Sequence, residues 1–86
     1  MARFYFHVFN GHGHTPDEEG TDLPDQAAAR RMALESICSM VAEDVRGGLI
    51  DLKGRIVISD HNASHLTTVH FADAFELRIP DDRPSS

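Results

Sequence analysis

The chain has 86 residues, 41% hydrophobic and 26% charged, which suits one small domain and leaves too little apolar material for two cores. Its formal charge is −6, with one lysine (Lys53) and seven scattered arginines, so the clustered cations that bind a phosphate backbone are missing and no nucleic-acid partner is expected. The single Cys38 excludes an internal disulfide, and no apolar run approaches the ~20 residues of a membrane span.

The opening MARFYFHVF turns polar too soon for a signal peptide, so a cytoplasmic location and no membrane partner are expected. Residues 3–9, RFYFHVF, are aromatic and β-branched and predict a strand. Period two puts Phe4, Phe6 and Val8 on one face, with Tyr5, His7 and Phe9 on the other. Both faces are apolar enough for a central position. Asn10-Gly11 supplies turn chemistry, and a short second strand is expected around residues 14–18, where its proline and acidic residues suit an edge.

Residues 25–46, DQAAARRMALESICSMVAEDVR, hold strong helix formers and no Gly or Pro. At 100° per residue, Ala33, Leu34, Ile37, Val41 and Val45 fall on one stripe, with Arg31, Glu35, Glu43 and Arg46 outside it. Asp25 is a fitting N-cap behind Pro24, and Gly47-Gly48 a fitting stop. GRIVISDH (54–61) and SHLTTVHF (64–71) predict a hairpin turning at residues 60–63, with Ile56, Ile58, Val69 and Phe71 toward the helix. ADAFEL is expected to make one helical turn that sets Phe75 and Leu77 against the core. Residues 80–86 are expected to form a disordered tail behind a single domain over residues 1–79. The predicted fold is α+β: a two-layer β-β-α-β-β sandwich, with one amphipathic helix packed on a four-stranded, mainly antiparallel sheet.

RFYFHV, PDEEGTDLPDQAAARRMAL, GRIVISD and TVHFADAFEL, in that order, resemble a family of small alphaproteobacterial proteins classed only as a domain of unknown function. The likeness spans roughly residues 3–77, and its central pattern falls on Glu19, Gly20, Leu23, Asp25 and Ala29-Arg30. It implies this fold and a bacterial cytoplasmic protein, and supplies no catalytic residues.

Two groups of residues stand out as sites. His12 and His14, with Asp17 and Glu18, are the imidazole and carboxylate types that ligate zinc, nickel or another first-row divalent ion. The plainer account, and the favoured one, is a polar hairpin loop, since a lone His-x-His carries little information. The acidic run through Asp25 is explained by the helix dipole and cap. The second group is Tyr5, His7, Val57, Thr68 and His70, which period two places on the sheet face away from the helix. One helix covers only one face of an antiparallel sheet, so this patch meets solvent, a small ligand or a second copy of the chain. Cys38 beside Leu34 and Val41 suits packing, and the serines lack a nucleophile-elbow context. The expected function is therefore that of an acidic, self-associating binding protein, a homodimer with no catalytic centre and no cofactor. The alternatives are a metal or small-ligand binder using the His12/His14 loop, and an antitoxin-like regulatory module.

Overall fold

The computed structural model describes residues 1–11 and 13–80 of the chain. The elements, in chain order, are β1 (Ala2–Asn10), β2 (Gly13–Thr15), β3 (Thr21–Leu23), α1 (Gln26–Arg46), β4 (Arg55–Ser59), β5 (His65–His70) and a 3-10 turn at Phe71–Ala74. One helix lies on an antiparallel sheet, giving the α+β fold expected, with five strands in place of four. β1 is central. β4 pairs along one of its edges from Tyr5 to Phe9, and β5 lies beyond β4. The other edge is shared by two short strands: β2 against Val8–Asn10 and β3 against Ala2–Phe4.

α1 begins where Asp25 accepts a hydrogen bond from the Ala28 backbone N–H at 2.8 Å, and ends at Gly47. Its buried residues, Ala29, Ala33, Ile37 and Val41, recur every fourth position and meet Phe4, Ile56, Ile58, Val69 and Phe71 in a single core. Gly54 permits that packing next to β4. A Cβ there would stand 2.8 Å from the Phe71 ring and 2.9 Å from the Phe9 carbonyl oxygen.

Four expectations need correction. The second strand occupies Gly13–Thr15, because Pro16 and the bend after it end the pairing expected to run on to residue 18. Thr21–Leu23, where the sequence shows only part of the acidic run before the helix, adds a strand to β1. Val45, placed on the apolar stripe, is 48% exposed, since α1 runs roughly 31 Å at ~1.5 Å per residue and outruns β4 and β5. Leu77 is 61% exposed, because the helical turn is Phe71–Ala74 and the chain is already extended at Phe75, which alone packs on the core. The expected tail, apart from Pro80, lies outside the described residues.

Candidate functional site

Strand register defines the face of the sheet turned away from α1. In β1 the buried or core-packed Phe4, Phe6 and Val8 face the helix, leaving Tyr5, His7 and Phe9 on the other side. His7 lies opposite Val57, and Val57 opposite Thr68, so one row crosses three strands. Phe9 lies opposite Arg55, and Arg55 opposite His70, in a second row that His14 extends from β2. Tyr5 pairs with Ser59 in a third. The five residues singled out in the sequence, Tyr5, His7, Val57, Thr68 and His70, therefore share this face.

The row at His7 is tied to the loop between β2 and β3. The Phe6 backbone N–H, in the gap that neither short strand covers, donates to Asp17 Oδ2 at 3.1 Å. Asp17 Oδ1 accepts from the backbone N–H groups of Glu19 and Gly20 at 3.2 and 3.0 Å. One carboxylate thus takes the place of a missing strand residue and closes the loop on itself. Partial burial pushes this carboxyl up, but the hydrogen bonds from Gly20, Phe6 and Glu19 outweigh it and hold Asp17 below its ordinary value. Gly20 completes the turn at φ +74°, and a Cβ there would come within 2.9 Å of the Tyr5 ring.

His7 sits between loop and sheet. The Asp17 backbone N–H donates to His7 Nδ1 at 3.2 Å, and His7 Nε2 stands 2.9 Å from the hydroxyl of Ser59, the one buried polar residue among those described. A ring nitrogen that accepts carries no proton, so Nε2 carries it and donates to Ser59 Oγ. A serine activated as a nucleophile needs the reverse arrangement, with the imidazole accepting from the hydroxyl. The Ser59–His7–Asp17 cluster has the composition of a triad and the polarity of a structural bridge.

The residues considered for metal separate differently. His12 lies outside the described residues. His14 stacks on Phe9, centroids 4.1 Å apart and planes at 3°, while the Asp17 oxygens accept backbone N–H groups and Glu18 is exposed. Among the described residues, no three His, Cys, Asp or Glu side chains converge as a metal site. The other side of Phe9 carries the Arg55 guanidinium, 4.3 Å from the ring centroid. His14, Phe9 and Arg55 thus form a stack contributed by three adjacent strands, a feature that only the register makes visible.

A family model described as Domain of unknown function (DUF6894) matches residues 3–72. The chain belongs to the DUF6894 family. The match takes in the helix and the described strands except Ala2 at the start of β1, so the open face and the Asp17 loop lie within the DUF6894 domain. No curated protein and no solved structure matches the chain. No helix among the described residues is long and apolar enough to cross a membrane.

Proposed function

We propose that this DUF6894 chain is a binding module without a catalytic centre, which self-associates as a homodimer through the open face of its sheet. Tyr5, His7, Val57, Thr68 and His70 carry the contact. The supporting observation is the composition of that face: Tyr5, His7 and Val57 are co-facial and half-buried, with α1 packed only on the opposite face and the Asp17–Gly20 loop only at the margin. A second copy suits the patch because its self-complementary middle row, His7–Val57–Thr68, bears no carboxylate to be buried unpaired. The core is also small, with nine buried apolar residues among those described, and a second covered face adds the apolar burial that so short a chain lacks. The reversed polarity of the His7–Ser59 bond supports a non-catalytic role. The resemblance of the PDEEG motif region extends this reading to a cytoplasmic alphaproteobacterial protein.

Light scattering behind size exclusion tests it, at about pH 8 and about pH 5.5, either side of the ordinary imidazole value. A dimer that Val57→Arg converts to a folded monomer is the expected result. A wild-type monomer at both pH values would overturn the proposal.

A further inference from the structure

We infer that the end of the sheet beside the β1–β2 turn is a binding site for an oxyanion, a phosphate or carboxylate group of a small ligand, with Arg55 as its principal donor. The site shares the open face with the proposed self-association patch, since Arg55 lies opposite His70, but every residue that forms it belongs to one copy of the chain.

Arg55 differs from the chain's other described arginines in what holds it. Arg3 pairs with Asp22 at 3.1 Å, Arg46 with Glu43, and Arg78 with Glu76, whereas Arg30 and Arg31 stand exposed on α1. The Arg55 guanidinium lies over the Phe9 ring, itself backed by His14. Stacking uses the flat face of a guanidinium and leaves its edge of N–H donors available. Among the described residues none of those donors has an acceptor and no carboxylate pairs with the group. In a chain of net charge −6, with 14 acidic residues, an arginine positioned by an aromatic ring and left without a carboxylate is unusual.

The surroundings form a recess. Arg55, Lys53, His14 and Phe9 line an open cleft of about 450 Å³, within the size range of small-ligand sites. Two cations line it, and the opposing charge in the lining is Asp51, whose Oδ1 already accepts the Lys53 backbone N–H at 3.0 Å. The planar fork of Arg55 matches the two oxygens of a carboxylate or phosphate, and Lys53 adds a point charge. Asp51 keeps the affinity modest, which makes its removal informative.

Isotope-labelled protein is titrated with sodium phosphate and separately with sodium acetate, ionic strength being held constant with sodium chloride. Saturable shifts of the Arg55 Nε–H and of the Lys53 and Gly54 amides are expected with one or both anions. Phosphate alone assigns a phosphoryl ligand, and saturation by acetate assigns a carboxylate. Arg55→Gln, checked for unchanged Ile56 and Ile58 amides, is expected to weaken binding about tenfold, and Lys53→Gln less. Asp51→Asn is expected to tighten it about threefold by removing a like charge. Shifts no larger than chloride produces, or equal binding by Arg55→Gln, would overturn the assignment.

Discussion

The Asp17 backbone N–H donates to His7 Nδ1 across 3.2 Å, while the Asp17 side chain holds the Phe6 N–H next door in β1. A loop residue thereby stitches two successive positions of a central strand, one through its main chain and one through its carboxylate.

Removing the carboxylate is expected to weaken the fold. Asp17→Ala leaves the N–H groups of Phe6, Glu19 and Gly20 without their acceptor, and the cost is set at about 1–3 kcal/mol at neutral pH. Because folding depresses the Asp17 value, its contribution is complete above the unfolded aspartate value of ~3.9 and is lost as pH falls through the lower folded one. Urea unfolding at about pH 7 and about pH 2.5 should show the gap between wild type and variant closing in acid. An equal gap at both would assign the loss to something other than the carboxylate.

The tautomer of His7 is checked directly. Long-range nitrogen–carbon correlation of the ring at neutral pH should show Nε2 protonated and Nδ1 bare, as the Asp17 bond requires. Ser59 should resist a fluorophosphonate probe, since its hydroxyl accepts from His7. In a double-mutant cycle, His7→Ala and Ser59→Ala should couple by about 1 kcal/mol. Labelled Ser59 would refute the structural-bridge account.

The core has few residues to spare. Ile37, fully buried on α1 against the sheet, should cost about 2–5 kcal/mol when cut to alanine. Val45→Ala, at 48% exposure, should cost less than ~0.5 kcal/mol. Thermal unfolding of the two variants measures the contrast, which comparable losses would contradict.

Ala63 holds φ +63° in the β4–β5 turn, a conformation that costs a residue with a Cβ about 1–2 kcal/mol. Asp60 fastens the turn, accepting from the Asn62 and Ser64 backbone N–H groups at 2.9 and 3.0 Å. Ala63→Asn, which tolerates this region without glycine's added chain entropy, should stabilise by about 0.5 kcal/mol. A drop in the urea midpoint would show that the turn is not strained.

Elements with a local signature were legible in the sequence. Pro24-Asp25 and Gly47-Gly48 bracket α1, and alternation in β1 assigns Tyr5, His7 and Phe9 to the face that register gives them. β3 had no such signature. Three residues, one of them Asp22, pair with β1 only because the loop behind them is closed by Asp17 and turned at Gly20. From sequence alone Asp17 is a candidate metal ligand or part of the acidic run before the helix. The spacing Asp-x-x-Gly held the missed hint, a carboxylate three residues before a glycine able to take positive φ. The His14–Phe9–Arg55 stack unites residues far apart in the chain, so it needed the register of three strands.

The split edge of β1 has a consequence for how the sheet can be extended. On that side the backbone is occupied by two three-residue strands and, between them, by a carboxylate that a foreign strand would have to displace. On the opposite side β5 presents His65–His70 with no strand beyond it among the described residues. Any added strand, from a peptide or from a misassembled neighbour, therefore finds its longest lateral template in the six residues of β5, against three in β2 and three in β3, and the molecule is polar in its capacity for growth.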